Sequence, residues 1–390
     1  MDESFAPHNE AETLELLSRA ARDHRPLAVQ GAGSKRGWGR PVAQDVLDMS
    51  RLSGITLYEP EELVLSAQAA TPLEEIERRL AQRSQCLAFE PPDLGPLYGA
   101  AADKGTLGGA IACNLSGPRR ISAGAARDHV LGFSAISGRA EAFKSGGRVV
   151  KNVTGFDLSK LLAGSFGTLA VMTSVTLKVL PAPERTTTVL LSGLTAEAAI
   201  QAMSKALNSP HEVSAAAFMP DARPSITALR VEGTKISVAA RVDALKKLLG
   251  ASDTFDAAAS QRFWRQIRDV APILSDAGSV IWQLSVPPST GAVVAEAILA
   301  QVEARHYFDW GGGRLWLAVA GDPAEGARVV RDVVASNGGH ATLMRASEGA
   351  RRRIAPFQPL PSGEAALVKR LKQNFDPAGI LNPGRMYEDV

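Results

Sequence analysis

Two glycine-rich stretches carry the residues whose types and spacing could do chemistry. The first, "GAGSKRGWG" (residues 31–39), follows the apolar run "PLAVQ" and joins its glycines to Ser34, Lys35 and Arg36. Gly31 and Gly33 permit positive φ, so successive backbone N–H groups can converge on one anion, with a hydroxyl and a cation beside them. Three or four charge-assisted bonds of roughly 1.5–3 kcal/mol each would offset the desolvation of a pyrophosphate. A glycine-rich turn with solvated cations is the alternative.

This first loop matches neither of two common nucleotide motifs. A Walker A loop needs a glycine directly before the Lys-Ser/Thr pair, and Ser34 stands before Lys35 here. A dinucleotide fingerprint needs a third glycine where Arg36 stands and a helix after it, whereas Pro41 and a second strand-like run follow. The sequence therefore predicts a loop that connects two strands and binds an anion through its own amides.

The second stretch, "GTLGGAIACNLSG" (residues 105–117), favours a binding role over a simple turn. It concentrates glycines and continues through Asn114 and Ser116 to Gly124. Such a backbone can lie flat against a large planar ligand and leave N–H groups free for ring heteroatoms. A third stretch again places glycines, Gly164 and Gly167, just before a buried strand.

Composition limits the classes of function. The 390 residues predict two or three domains, 45% are hydrophobic, and 43 basic residues balance 41 acidic ones to a net charge of +2, so no nucleic-acid partner is indicated. Two cysteines, Cys86 and Cys113, indicate a reducing compartment. The acidic N-terminus does not resemble a signal peptide, no apolar run reaches ~20 residues, and a cytoplasmic location is expected. The six histidines have no metal-ligand spacing, so no metal site is predicted.

Periodicity indicates the elements that must position these loops. A helix is predicted over residues 71–82, with Thr71 as its N-cap and Glu74 completing a capping box. Residues 132–147 predict a hairpin, and 167–184 a long strand closed by prolines, with a domain boundary near residue 182. Helices near 195–207, 238–249, 290–304 and 324–336 alternate with strands, which predicts a sheet covered by helices on one face. A last helix should bury Leu367, Leu371 and Phe375.

With these stretches in hand, the chain resembles the FAD-binding domain of the vanillyl-alcohol oxidase / para-cresol methylhydroxylase (PCMH) superfamily and, within it, the FAD-binding E subunits of bacterial glycolate oxidases. The resemblance rests on "QGAGSK", "GTLGGAIACNLSGPRR", "RVVKNVTGFDLSKLLAGSFGTL", "DWGGG" and "FDPAGILNPGRM". It implies an α+β fold with a two-subdomain PCMH-type FAD-binding domain over residues 1–182. An α/β cap domain, with helices packed on a mainly antiparallel sheet, would occupy 183–358, and a C-terminal helix and tail (359–390) would return to the FAD domain.

The resemblance also implies which residues hold the cofactor. The first loop would take the pyrophosphate, the second stretch would line the isoalloxazine and ribityl chain, and backbone near Val171 would meet the adenine. The implied FAD-binding residues are Gly31, Ala32, Gly33, Ser34, Lys35, Pro92, Thr106, Gly108, Gly109, Asn114, Gly117, Gly124 and Val171. Relatives that bind flavin covalently have a histidine at the position of Ser34, so noncovalent FAD is expected here.

The implied function is that of an FAD-binding subunit of a glycolate oxidase complex. A 2-hydroxy acid would be oxidised to the 2-oxo acid on this flavin or on that of a sister flavoprotein subunit. Electrons would then pass to an iron–sulfur subunit, because two cysteines cannot hold a cluster. Related stand-alone dehydrogenases carry a histidine-rich cluster in the C-terminal half where this chain has "RASEGARRR" (345–353), which favours the sister subunit as the place of oxidation. Any association with the membrane would come through those partners. A stand-alone 2-hydroxyacid oxidase and a flavin-free assembly subunit are the alternatives.

No catalytic residue is assigned from the sequence. His340 could act as a base toward an α-hydroxyl, and Arg314 or Arg345 could clamp a carboxylate, but ordinary structural roles are favoured for all three. His129 beside Asp128 is read in the same structural way. The basic run at residues 351–353 is read as a solvated patch, with docking of a partner as the alternative.

Overall fold

The computed structural model describes residues 3–42, 44–147, 157–274 and 278–390. Within these ranges the helices are α1 (Glu10–Arg22), α2 (Leu73–Ala81), α3 (Leu107–Ala112), α4 (Arg120–Ala123), α5 (Leu158–Leu162), α6 (Ala196–Leu207), α7 (Lys235–Leu249), α8 (Ala257–Arg268), α9 (Gly291–Leu299), α10 (Pro323–Asn337), α11 (Glu348–Arg353) and α12 (Ser362–Phe375). The strands are β1 (Ser4–Phe5), β2 (Leu27–Gln30), β3 (Asp45–Asp48), β4 (Ile55–Glu59), β5 (Val64–Gln68), β6 (Gln85–Cys86), β7 (Val130–Ser137), β8 (Ala142–Gly146), β9 (Ala170–Lys178), β10 (Leu180–Pro181), β11 (Arg185–Ser192), β12 (Val213–Met219), β13 (Ile226–Gly233), β14 (Asp253–Phe255), β15 (Val280–Ser285), β16 (Ala304–Asp309), β17 (Arg314–Val319) and β18 (His340–Arg345). No helix in the described ranges is both long enough and apolar enough to span a bilayer.

The chain forms two compact units. The first contains Met1–Ser116, Ala125–Ala182 and Pro359–Val390, and the second contains Gly117–Gly124 and Pro183–Gln358. The segment Gly117–Gly124 therefore belongs to the second unit, although the sequence placed it inside the first domain. Its contacts explain the difference, because Arg119 forms an ion pair with Glu232 at 2.9 Å.

The first unit combines a parallel and an antiparallel sheet. Strands β1, β3 and β2 form the parallel sheet, in that order, and β4, β5, β9, β7 and β8 form the antiparallel one. The predicted hairpin over residues 132–147 is confirmed by the pairing of β7 with β8. Leu17 of α1 packs in one core with strand residues and with Ile380 and Leu381, so the C-terminal tail completes this unit.

The N-terminus of α2 differs from the prediction. The helix begins at Leu73 after Pro72, and no side chain caps it. The Thr71 hydroxyl instead donates to the Gln68 carbonyl at 2.7 Å and accepts from the Gly54 N–H at 2.9 Å. The predicted capping box is wrong because Thr71 stabilises the turn that precedes the helix.

The predicted apolar stripe of α12 is also wrong. Leu367 is 51% exposed, and the one buried residue of the helix is Lys372. The Lys372 ammonium donates to the Thr168 and Leu381 carbonyls and to Asp376 Oδ2, each at 2.8 Å. Helix α12 is therefore anchored by a buried cation that satisfies backbone carbonyls, in a position where the spacing of leucines predicts a hydrophobic contact.

The second unit contains one antiparallel sheet of eight strands, in the order β14, β11, β13, β12, β16, β17, β15 and β18. Helices α6, α7, α9 and α10 bury their apolar faces against one side of it in a single core. The predicted fold class is confirmed. The helix expected over 290–304 ends at Leu299, and β16 and α8 were not predicted.

Candidate cofactor-binding site

The first glycine loop lies beside the start of α3. The loop follows β2 and leads to β3, so it connects two strands as predicted, and the structure shows that these strands are parallel. Gly33 has φ +69°, a conformation that glycine adopts without strain. A Cβ atom on Gly31 would lie only 2.8 Å from Thr106 Oγ1, so the absence of a side chain allows the two glycine stretches to meet.

Helix α3 brings its own glycines against this loop. Thr106 caps the helix by accepting a hydrogen bond from the Gly109 N–H at 3.3 Å. The Gly108 N–H donates to the Ala69 carbonyl at 2.6 Å, which holds the helix against the end of β5. A Cβ on Gly109 would lie 3.2 Å from Lys35 Nζ, so the lysine ammonium rests directly on this glycine.

The C-terminal tail holds the base of the same loop. Asn382 Oδ1 accepts from the Val29 N–H at 2.9 Å, and its Nδ2 donates to the Phe166 carbonyl at 2.8 Å. Arg385 Nη2 donates to the Lys35 carbonyl at 3.0 Å. The "NPGR" stretch thus holds the backbone of the loop and of the strand before it. This role of Arg385 was not predicted, because the sequence motif does not indicate which residue Arg385 contacts.

The electrostatic field of this cradle is positive. Burial raises the pKa of the Cys113 thiol, and the nearby charges of Lys35 and Arg385 oppose that rise. The positive charges of Lys35 and Arg385 therefore both act on Cys113 at the end of α3, the helix whose glycines leave room for a ligand. The cradle combines closely spaced backbone, two positive charges and a buried Ser34 hydroxyl that accepts a hydrogen bond from Lys35 Nζ at 3.3 Å. These groups fit a diphosphate-containing ligand.

Some of the residues implied by the resemblance meet at this cradle. Contacts join Gly31 to Thr106 and Lys35 to Gly109, and Gly33 and Ser34 belong to the same loop. The loop, α3 and the tail are the three segments that form it. The members brought together are Gly31, Ala32, Gly33, Ser34, Lys35, Thr106, Gly108 and Gly109.

The remaining implied residues have other described contacts. Val171 is 1% exposed and pairs with Ile136 inside the sheet, and Gly117 and Gly124 belong to the second unit. Pro92 is buried in a proline segment whose Tyr98 ring lies against Gly37. Asn114 has φ 48° and accepts from the Arg127 N–H at 3.1 Å, which ties the end of the second stretch to the next turn. The "RVVKNVTGF" part of the third motif, residues 148–156, lies outside the described residues.

His129 and Asp128, in the first unit, have structural contacts. His129 is 4% exposed and its ring lies 5.5 Å from that of Phe89. Asp128 accepts from the Ala125 N–H at 2.9 Å and so orders its own turn.

In the second unit, Arg345 Nη2 donates to the Ser279 carbonyl at 3.5 Å, and Arg352 pairs with Glu348 at 2.6 Å. Arg314 is 6% exposed and donates to Gln283 Oε1 at 2.9 Å. His340 is exposed at the start of β18.

Comparison with known proteins agrees with this geometry. A family model described as "FAD binding domain" matches residues 4–146, and one described as "FAD linked oxidases, C-terminal domain" matches residues 360–386. Both matches fall in the first unit apart from the short inserted segment. The chain is 17% identical to a solved alkyldihydroxyacetonephosphate synthase, with a TM-score of 0.73 over 97% of this chain and 76% of that one, which shows a shared fold.

Two curated relatives are more informative about family. The chain is 28% identical over 205 residues to glycolate oxidase subunit GlcD of Bacillus subtilis, which covers 52% of this chain and 42% of that protein. It is 35% identical over 378 residues to glycolate oxidase subunit GlcE of Escherichia coli K12, which covers 97% of each protein. The chain therefore belongs to the GlcE family of FAD-linked oxidoreductase subunits.

Proposed function

We propose that this chain is the FAD-binding subunit of a glycolate oxidase complex, which oxidises glycolate or a related 2-hydroxy acid to the 2-oxo acid. The observation that carries the proposal is the similarity to GlcE along nearly the whole length of both chains. The glycine cradle supports it independently, because its charges and close backbone contacts suit a dinucleotide.

The cradle residues have distinct roles in holding FAD noncovalently. The amides of residues 31–34 and the Lys35 ammonium would bind the pyrophosphate, while Arg385 keeps the loop backbone in place. Ser34 supplies a hydroxyl and cannot form a histidyl bond to the flavin. When bound, FAD supplies the acceptor for the hydride equivalent that leaves the α-carbon of the substrate.

Electrons are proposed to leave through other subunits. The chain has two cysteines, Cys86 and Cys113, too few for an iron–sulfur cluster. The partners we propose are a GlcD-like flavoprotein subunit and an iron–sulfur subunit, in the cytoplasm or on the inner face of the membrane through those partners. The likeness to a GlcD subunit supports a shared ancestry of the two flavoprotein chains.

Co-purification of the tagged chain from its native host tests the proposal. We expect a yellow complex that releases FAD on acid precipitation, contains the two partners and reduces a dye with glycolate. Turnover by the isolated chain would instead support a stand-alone oxidase. A colourless preparation with no affinity for added FAD would support a flavin-free assembly subunit and would overturn the proposal.

A further inference from the structure

A row of polar side chains crosses four strands of the second unit. The register pairs His340 of β18 with Ser285 of β15, Ser285 with Arg314 of β17, and Arg314 with Asp309 of β16. Directly opposed residues on neighbouring strands project from the same side of a sheet. The four side chains therefore share one face and one end of the sheet.

This face is the one opposite the helical core. The strand neighbours of the row, which project the other way, are core residues packed with α6, α7, α9 and α10; they are Leu284, Phe308, Leu315 and Ala341. Ser285 is half-buried and His340 is exposed. Polar groups at this end of the sheet are thus available to a ligand.

The inserted segment Gly117–Gly124 brings a second guanidinium to the row. Trp310 Nε1 donates to the Gly117 carbonyl at 3.0 Å, which fixes the indole beside the segment. Arg120 Cζ lies 4.4 Å from the centroid of the Trp310 ring, and Arg314 Cζ lies 4.3 Å from it. One aromatic ring therefore holds two cations close together.

Charge at this place favours an anion. The acidic member of the row, Asp309, is 1% exposed and accepts from the Trp310 N–H at 2.8 Å. Burial of part of the ring, followed by the charges of Arg120 and Arg331, lowers the pKa of His340, although the residue as a whole is exposed. The imidazole is therefore neutral at pH 7 and can accept a hydrogen bond from a hydroxyl.

We propose that Arg120, His340, Ser285, Arg314 and Trp310, here called the cap anion site, bind a small 2-hydroxy carboxylate. Arg120 would bind the carboxylate, while Arg314, whose charge is offset by Asp309, would hold the Trp310 ring in place. His340 and Ser285 would bind the α-hydroxyl. The choice of a hydroxy acid rests on the proposed function, whereas the preference for an anion rests on the residues themselves.

Calorimetric titration of the purified, full-length chain with glycolate tests the site. Acetate, which lacks the hydroxyl, and ethylene glycol, which lacks the carboxylate, serve as comparison ligands. We expect Arg120→Met to weaken glycolate and acetate binding by about tenfold or more, since a charge-assisted bond is lost. His340→Ala should weaken glycolate by roughly fivefold and leave acetate unchanged, because a neutral hydrogen bond to the hydroxyl is lost.

Two further variants separate binding from folding. Arg120→Lys keeps the charge but loses the planar guanidinium that lies against Trp310, so its affinity for glycolate should fall between those of wild type and Arg120→Met. Arg262→Met removes an exposed arginine of α8 and should change nothing. Thermal unfolding and the total tryptophan fluorescence of each variant, compared with wild type, report whether the chain stays folded.

The inference is overturned if wild-type protein fails to bind glycolate, if acetate and ethylene glycol bind as well as glycolate, or if Arg120→Met and His340→Ala bind like wild type. These outcomes are distinct from failure of the proposed function. A chain that carries FAD and joins an active complex without binding glycolate overturns only the cap anion site. A chain that binds glycolate but holds no flavin overturns only the proposed function.

Discussion

The glycine cradle of the first unit and the cap anion site of the second are built in opposite ways. The cradle is made of backbone, with glycines that admit close approach and with Arg385 bound to a loop carbonyl at 3.0 Å. The cap anion site is made of side chains that strand register and one inserted segment bring into a row. A backbone site depends on chain path and a side-chain site on register, so different substitutions should damage each.

The largest effect is expected where the tail anchors the cradle. Asp376→Asn leaves the Lys372 ammonium buried without its counter-ion, and breaking a buried pair costs about 3–5 kcal/mol. We expect the free energy of unfolding to fall by that amount and FAD binding to weaken with it, because the tail carries Arg385 to the loop. Urea unfolding monitored by circular dichroism, with FAD titration of the refolded apoprotein, measures both.

Asp332→Asn is the matched control, since Asp332 forms an exposed i, i+4 pair with Arg328 on α10. An exposed pair contributes about 0–1 kcal/mol, so its loss should be nearly silent. Equal losses in the two variants would contradict the idea that the tail anchors the cradle.

The stability of the second unit should instead depend on acid pH. Burial would raise the pKa of Glu232, but the charges of Arg230 and Arg119 outweigh it and lower the pKa to about 2, against 4.5 unperturbed. Because the folded pKa is depressed, the stabilisation is complete above pH 4.5 and is lost as pH falls from 4.5 toward 2. Integrated over that interval it amounts to about 3 kcal/mol.

Glu232→Gln should flatten this acid dependence and loosen the segment that carries Arg120, whereas Glu348→Gln, at an exposed pair on α11, should not. Stability measured between pH 3 and pH 6 separates the two variants. An unchanged slope in Glu232→Gln would show that this carboxylate does not fix the segment.

The same contrast explains how much the sequence could predict. Glycines at residues 31, 33, 108 and 109 mark a backbone site because only close approach or positive φ demands them, and the structure brings these stretches together. The periodicity of the apolar residues also predicted the helices that cover one face of the eight-stranded sheet in the second unit. That FAD contacts Pro92, Asn114 and Val171 is still a prediction.

Features that depend on tertiary contacts were not predictable. The leucine stripe of α12 obeyed helical spacing, yet Lys372 is buried there because three acceptors surround its ammonium. Strand β16 was missed because "ARHYFD" mixes charged and aromatic residues without alternation. Gly117–Gly124 belongs to the second unit through the ion pair of Arg119 with Glu232. These two residues are 113 positions apart in sequence, so no local pattern could predict the contact.

A moderate effect is expected from the tail residue that touches the loop. Arg385→Gln removes the bond to the Lys35 carbonyl and one positive charge near the cradle. Loss of a charge-assisted bond predicts FAD binding weaker by about tenfold or more, with little change in the unfolding midpoint. Arg370→Gln, at an exposed position of α12, is the control, and FAD fluorescence titration of both variants reveals any difference. Identical affinities would remove Arg385 from the cradle.

The smallest effect sharpens the comparison within the cradle itself. A Cβ on Gly109 would meet only the ends of two side chains, Thr106 Oγ1 at 3.0 Å and Lys35 Nζ at 3.2 Å. Gly109→Ala should therefore fold normally, but it displaces the ammonium and weakens FAD by about three- to tenfold, or about 1 kcal/mol. A Cβ on the neighbouring Gly108 would lie 2.9 Å from the Ala69 carbonyl oxygen, which cannot move without the backbone. Gly108→Ala should thus lower stability by about 1–3 kcal/mol. If the two variants exchanged these phenotypes, the lysine would lie elsewhere and the cradle would not be the anion site.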